Sequence, residues 1–475
     1  MRRVKAGRPP LIVTGLLVAG GCSLDTFGIE PGPKDTTATS TDSSTTATAT
    51  TNGSTSEGTG MVADGTIAHV AVGHAFTCII RRDGALFCWG YGGTGNLGLE
   101  LTPIALGDDE LPSTLGPVDI GDAARQVSAG GYHTCSARND GALYCWGGGS
   151  SGQLGLSMGV VSTTTPAAGG PVDIGGNAEA VALGYEHTCA LRDTGEVLCW
   201  GNNVDGRLGY GDLLNVGLDE TPAVKGPVAV GGSVRQIVAG RQHTCAVRDD
   251  DTVVCWGGNA WGQLGYGHKS PMSSPGPALE LGGGVMKMTA GGYHNCALLT
   301  TRHIVCWGRN DVAQLGYGLV GNVGDNEPPN GAGAVDVGGP VLDISGGQYH
   351  TCALLDGGAV TCWGQNAAGE LGYGHTQDLS GQAPVAIGAI DLGGAAVEIA
   401  AGTDHTCARL ESDQLRCWGK NLYGALGYGN IGPYSAVCGG IDTFSCDPHP
   451  ADDDDRACCI GDDETPASAG VVPGF

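Results

Sequence analysis

Seven times along the chain two cysteines stand ten positions apart: Cys78 and Cys88, Cys135 and Cys145, Cys189 and Cys199, Cys245 and Cys255, Cys296 and Cys306, Cys352 and Cys362, Cys407 and Cys417. Their first members are separated by 57, 54, 56, 51, 56 and 55 residues, so the inner unit is fixed and only the connections vary. A period of this size means one small supersecondary unit, repeated because a single copy cannot bury its own apolar face. Each second cysteine is followed by Trp-Gly, at Trp89, Trp146, Trp200, Trp256, Trp307, Trp363 and Trp418. A turn such as "GRLGYG" from Gly206 or "GALGYG" from Gly424 comes next, and an alternating run such as "VRQIVAG" (234–240) or "VEIAAG" (397–402) precedes the pair. Each unit therefore supplies about four short strands punctuated by glycine, and no window holds an amphipathic helix.

The spacing of ten has a geometric meaning. In "HTCALLDGGAVTCWGQNAAGELGYG" (350–374), facing Cys352 with Cys362 centres an antiparallel pair on Gly357 and leaves a three-residue loop, Asp356-Gly357-Gly358. Such loops often close with glycine in the left-handed region, and Gly84, Gly141, Gly195 and Gly358 hold that last place. Opposed residues at a non-hydrogen-bonded site are close enough to be joined, and a disulfide over so small a loop stabilises by roughly 2.5 to 3 kcal/mol. The expectation is that each ten-spaced pair is bridged to itself, within its own hairpin. Zinc is the competing use of these cysteines, since a histidine precedes six of them (His133, His187, His243, His294, His350, His405). Structural zinc takes ligand pairs two to four residues apart, and the first unit has Phe76 in place of the histidine, so these histidines are expected to be buried, hydrogen-bonded and structural. No metal and no cofactor is expected.

Nineteen cysteines and 87 glycines in 475 residues suit an oxidising compartment and a turn-rich fold. Arg2, Arg3, Lys5 and Arg8 precede the apolar stretch 11–20, which is too short for a transmembrane helix. The run "LLVAGGCS" resembles a bacterial lipoprotein signal in which Cys22 is lipidated and becomes the first mature residue; Ala19 stands where that pattern usually has Leu. An ordinary secretory signal is the alternative. Residues 1–21 are thus expected to be a signal peptide. Residues 22–60, dominated by Thr, Ser, Ala and Gly, are expected to be a disordered tether. Losing 1–21 removes four basic and no acidic residues, moving the net charge from −26 to −30. Such a surface repels phosphate backbones, so no nucleic-acid partner is expected, and the membrane is reached only through the Cys22 lipid.

With these residues in place, "GYEHTCALRDTGEVLCWGNNVDGRLGYG" (184–211) resembles the regulator of chromosome condensation repeat, and the likeness recurs over 66–430. The resemblance implies an all-β, seven-bladed β-propeller of four-stranded blades over residues 61–475, with "TIAHVAV" and "ETPASAGVV" available to close the ring. A Cys-rich insertion at 437–459 adds Cys438, Cys446, Cys458 and Cys459, which allow three pairings. The family offers two precedents: nucleotide exchange on a small GTPase, and, in a secreted bacterial propeller, inhibition of β-lactamase. Fold alone decides neither.

Catalytic motifs are weak. "GQLGYGHKS" (262–270) lacks the Gly-Lys order of a phosphate loop, and no nucleophile elbow or His-Glu-x-x-His occurs. The acidic loops "LGDDELP" (106–112), "VGLDETP" (216–222), "VGDNEPP" (323–329) and "IGDDETP" (460–466) carry Asp108, Asp219, Asp325 and Asp462 without EF-hand spacing, and serve turns more simply than calcium. What differs between units lies just before the repeated histidine: Tyr132, Tyr185 with Glu186, Arg241 with Gln242, Tyr293, Tyr349 and Asp404. These side chains should converge on one opening of the ring, with Trp261 as a further candidate from a separate loop. Tyr, Arg and Trp are enriched in binding hot spots. The expectation is a monomeric module without catalysis, lipid-anchored at a bacterial envelope, outer membrane or cell surface, that binds a protein or glycan. Guanine-nucleotide exchange and a propeller hydrolase or lyase are the alternatives.

Overall fold

The computed structural model describes residues 66–475 apart from 101–103, 109, 158–161, 164, 380, 430–458 and 461–463. The expected signal peptide, the tether, Cys22 and all of the insertion except Cys459 lie outside the described residues. Seven antiparallel sheets follow one another in chain order, and they are numbered here as blades one to seven by their cysteine pairs. Blade three shows the plan: Ala178–Leu183 lies next to the axis, His187–Arg192 pairs with it, and Val197–Gly201 pairs outside that. First strands of neighbouring blades touch one another around the whole ring.

The hairpin register is the one the cysteine spacing demands. In blade six Cys352 opposes Cys362 and is bridged to it. The same self-contained disulfide joins Cys78 with Cys88, Cys135 with Cys145, Cys189 with Cys199, Cys245 with Cys255, Cys296 with Cys306, and Cys407 with Cys417. In all seven the Cα atoms are 4.1 Å apart, and none of these bridges runs between blades. Leu355 N–H donates to Ala359 C=O at 2.8 Å, so alternation puts Cys352 and Cys362 at a non-hydrogen-bonded site. The last loop residue is left-handed throughout. Glycine fills it in four blades, while Asp251, Arg302 and Asp413 take φ of 63°, 62° and 61° in the other three.

A non-hydrogen-bonded site turns the N–H and C=O of the second cysteine toward the outer edge, where a fourth strand would satisfy them. The repeated Tyr of "LGYG" does this instead. The Tyr373 hydroxyl accepts from Cys362 N–H and donates to Cys362 C=O, both at 3.1 Å, and Tyr317 and Tyr428 make the same pair of bonds to Cys306 and Cys417 in blades five and seven. The fourth strand is accordingly abbreviated. It is a two-residue strand in blades one, two and seven, and an isolated bridge such as Gly201 with Val216 in blades three to five. Beyond it the chain makes a single helical turn begun by proline, as at Pro222–Lys225 and Pro384–Ile387, and returns to the third strand through bonds such as Val228 N–H to Val197 C=O at 2.7 Å.

The seven tryptophans are buried in the seams between blades. Each indole N–H donates to a carbonyl of the preceding blade, as Trp200 does to Gln153 at 2.9 Å. Trp89 of blade one donates to Ala425 of blade seven at 3.0 Å, so the ring closes by the bond that joins every other seam. Among the described residues no strand is shared across the closure. "TIAHVAV" becomes the first strand of blade one, and "ETPASAGVV" completes blade seven through a helical turn and the Val472 N–H bond to Leu415. Glu398 of blade seven adds a buried clamp, taking His69 Nδ1 at 2.7 Å and Val70 N–H at 3.1 Å from blade one while held by its own Arg409 at 2.9 Å.

Candidate functional site

The loops joining first to second strands lie at one end of the ring and follow the pattern Gly-x-x-His in six blades and Gly73-x-x-Phe76 in blade one. Their backbones form a belt: Arg241 N–H donates to Gly292, Gly292 to Gln348, Gln348 to Gly402, Thr403 to Gly73 and His74 to Gly130, at 3.0 to 3.4 Å. The leading glycine is required because a Cβ at Gly184 would collide with the His187 ring and come within 2.6 Å of the Gly240 carbonyl in the next blade. Below the belt runs a second ring. His133 Nε2 reaches Thr188 Oγ1 one blade on at 2.8 Å, and Thr188 donates to Gln153 C=O at 2.8 Å, so the histidine carries its proton on Nε2. His187, His294, His350 and His405 repeat the link to threonine and His243 makes it to Asn295 Oδ1 at 3.1 Å; complete burial pushes the pKa values of all six down, to about 3 for His133, His294, His350 and His405.

Above these repeated layers the variable side chains pack into one another as a collar at this end of the ring. The His74 ring meets Tyr132 edge-on at 5.9 Å, Tyr132 meets Tyr185 at 5.3 Å, and the Tyr185 hydroxyl donates to that of Tyr132 at 3.0 Å. Arg241 lies over Tyr185 at 4.6 Å and against Tyr293 at 5.7 Å. Tyr293 stacks with Tyr349 at 6.4 Å. Arg309 joins Trp261 (4.6 Å), Tyr349 (4.8 Å) and Tyr293 (5.8 Å), with its charge balanced by Asp311. Tyr132, Tyr293, Tyr349, Trp261 and Arg309 are half-buried, whereas Tyr185 and Arg241 are buried in the stack. Glu186 is tied outward to Asn202 Nδ2 at 3.1 Å, and Gln242 is held through its carbonyl by Gly258 N–H at 2.7 Å.

Asp404 stands apart from this arc. It lies with Lys420 (3.9 Å), Thr403 and His74 on the blade one and seven side, above the buried Glu370. Burial pushes the Asp404 carboxyl up, against the pull of Lys420. Burial and then the Asp404 charge raise Glu370 to about 8. His74 is lowered to about 4 by burial and by the charges of Lys420 and Arg241, the last reaching it from blade four. Among the described residues no group of His, Cys, Asp or Glu is arranged to hold a metal; Asp325 is paired with Lys269 at 2.9 Å, and Asp462 lies outside them. A cavity of about 450 Å³ sits at the opposite end of the blades, lined by Thr301, Arg302 and His303 of a hairpin tip and by the segment Ala334 to Val341.

Arg309 and Lys420 were missed in the sequence although the register contains them. Opposed positions sum to a constant, so the residue after Trp-Gly must face the residue before the repeated histidine. Arg309 N–H indeed bonds Tyr293 C=O at 3.0 Å, and Lys420 N–H bonds Asp404 C=O at 2.8 Å. Trp261 meets Arg309 for a similar reason: the loop after each third strand leans on the next blade, as Tyr423 leans on Tyr91 at 5.0 Å across the closure.

Residues 17–337 match the RCC1-like domain, and 341–370, 357–409 and 396–425 match the regulator of chromosome condensation (RCC1) repeat. The ultraviolet-B receptor UVR8 of Arabidopsis thaliana is 31% identical over 356 residues, covering 73% of this chain and 75% of the receptor. The human E3 ubiquitin-protein ligase HERC2 is 30% identical over 340 residues, 69% of this chain but 6% of the ligase. In fold, the chain resembles human WBSCR16 (TM-score 0.60, 24% identity, 73% of this chain and 86% of that one) and yeast RCC1 (Prp20), solved bound to Kap60 (TM-score 0.59, 21% identity, 70% and 78%).

Proposed function

Because the chain belongs to the RCC1 repeat family, we propose that it is a non-catalytic binding module, exported and anchored through Cys22, that holds a protein partner on the collar end of its propeller. The observation that carries this reading is the stack of Arg241 and Arg309 among Tyr185, Tyr293, Tyr349 and Trp261. Repeated positions are accounted for by the architecture: cysteine staples and seam tryptophans in all seven blades, and the histidine links in six. The collar side chains follow no repeat, and they are the aromatic and arginine types that carry binding energy. Relatives described as a receptor and as a partner-bound regulator are in keeping with a propeller used for recognition.

The test is capture of a partner from envelope extract by the full chain, compared with a double variant carrying Trp261→Ala and Tyr349→Ala, two half-buried positions whose loss leaves the histidine ring intact. Loss of capture in the double variant supports the collar. Unchanged capture moves recognition elsewhere, and capture abolished by glycosidase treatment of the extract makes the partner a glycan. Hydrolase or nucleotide-exchange activity in the pure chain would overturn the non-catalytic reading. Cys22→Ser should move the protein from membrane to soluble fractions; persistent membrane retention would remove the anchor.

A further inference from the structure

We propose that the collar contains an oxyanion site built on Arg241, which receives a single carboxylate, phosphate or sulfate group of the bound ligand. The proposal rests on the binding reading above and specifies its chemistry. Arg241 is 5% exposed, yet among the described residues no carboxylate lies within 4.0 Å of its guanidinium, and none of its side-chain N–H groups has a hydrogen-bond acceptor. The other buried arginines each have an acceptor: Arg207 has Asp205 at 2.6 Å, Arg409 has Glu398 at 2.9 Å, and Arg416 donates to the Pro466 and Ala467 carbonyls at 3.2 and 3.3 Å, although the Nε of Arg207 and of Arg416 is left without one. None of its nitrogens is a fully buried unpartnered atom, so the guanidinium keeps contact with solvent while its stem is packed, and its five donors are open to an anion that would replace that water.

The position of Arg241 favours a ligand at the axis. Its guanidinium carbon lies 4.6 Å from the Tyr185 ring centroid and 5.7 Å from that of Tyr293, and its charge is felt by His74 in blade one, so the head lies toward the mouth of the ring. Tyr132 accepts the Tyr185 proton and therefore keeps its own hydroxyl proton to donate, beside the same opening. A planar fork between aromatic walls suits carboxylate or phosphate oxygens, two N–H groups at a time. The net charge of −26 repels polyanions at longer range, which selects a ligand presenting one such group.

The full chain, with its arginine side chains labelled with ¹⁵N, is titrated with sodium acetate, phosphate and sulfate against chloride at matched ionic strength. The Arg241 Nε–H signal is assigned by its loss in Arg241→Lys. The expected result is a saturable shift with a dissociation constant on the order of 1 mM for at least one oxyanion and none for chloride. The rank order of the three separates carboxylate from phosphate and sulfate. Arg241→Lys, which keeps the charge and loses the fork, should weaken binding at least about tenfold. The ring signals of Tyr185 and Tyr293 in the unmodified chain give the same answer if that variant does not fold. No saturable shift with any oxyanion, or equal affinity in a folded Arg241→Lys, overturns the site. Partner capture surviving that result leaves the binding face standing, whereas oxyanion binding without capture defeats the binding reading instead.

Discussion

His405 of blade seven holds Thr77 of blade one at 3.0 Å, the same bond that His133 makes to Thr188 and His350 to Thr406, so the ring closes through its repeated polar link rather than through a borrowed strand. One link is missing. Phe76 replaces the histidine of blade one, so Thr134 of blade two donates to Asn96 C=O at 2.7 Å and receives no imidazole.

That gap gives an internal comparison. Thr188→Val leaves both the His133 N–H and one bond to the Gln153 carbonyl unsatisfied, and should cost roughly 1 to 3 kcal/mol. Thr134→Val removes only a bond to a carbonyl that Trp146 still occupies at 2.9 Å, and should cost about 1 kcal/mol or less. Urea unfolding of the two variants checks the order; equal costs would mean that the histidine links contribute nothing.

The histidine ring also sets the acid response. Burial holds the imidazoles of His133, His243, His294, His350 and His405 neutral to about pH 3 or 4 and that of His187 neutral well below 6.5, whereas in the unfolded chain they protonate near 6.5. Below 6.5 the unfolded chain binds more protons, so stability falls as pH falls, by about 1.4 kcal/mol per pH unit for each histidine. His294→Phe, which copies blade one, should flatten the slope between about pH 6 and pH 4 by one such contribution. Chemical unfolding at several pH values measures it, and an unchanged slope would show that His294 is not held neutral.

Much of this was legible because the repeat specifies its own register. The spacing of ten fixed the hairpin, the bridge and the left-handed loop residue, and six histidines beside the axis could be assigned to structure. The shortness of the fourth strand was not legible: in blade six the Tyr373 hydroxyl takes the N–H and C=O that a longer strand would have taken, and the sequence shows only a tyrosine in a turn. The collar was half legible. Tyr132 and Arg241 stand out by breaking the repeat, but that Arg241 is buried between two tyrosines depends on neighbours 56 and 52 residues away, Tyr185 and Tyr293.

Side-chain size is traded across the seams at the hairpin tips. A Cβ at Gly358 would come within 2.6 Å of the Ala395 Cβ, whereas Asp251 at the same place in blade four faces Gly284. Gly358→Ala should therefore cost roughly 1 to 3 kcal/mol, from its φ of 81° and from the clash together. Adding Ala395→Gly removes the nearest contact but leaves the Ala395 Cα at 2.9 Å and the Ala396 N at 3.0 Å, so the double variant should recover only part of the loss and keep at least about 1 kcal/mol. Thermal unfolding of the pair tests this, and a double variant no better than the single would place the whole cost in the backbone.

Glu370 occupies a position where blades two, four and five have glutamine. In those blades the amide oxygen accepts from a loop N–H, as Gln153 does from Ser151 at 2.9 Å and Gln263 from Trp261 at 2.9 Å. Glu370 accepts from Ala368 N–H at 2.7 Å in the same way, and burial together with the Asp404 charge keeps it protonated to about pH 8, so at neutral pH it behaves as the neutral side chain that the repeat prefers. The unfolded chain loses that proton near 4.5. Between 4.5 and about 8 the folded protein therefore binds the extra proton, and its stability falls as pH rises. Glu370→Gln keeps the loop bond and has no proton to lose. Its advantage over the unmodified chain should be small near pH 4.5, grow steadily to a few kcal/mol by about pH 8, and then level off. Urea unfolding of both proteins across that range decides the matter: an advantage that does not grow with pH would mean that Glu370 ionises normally inside the ring.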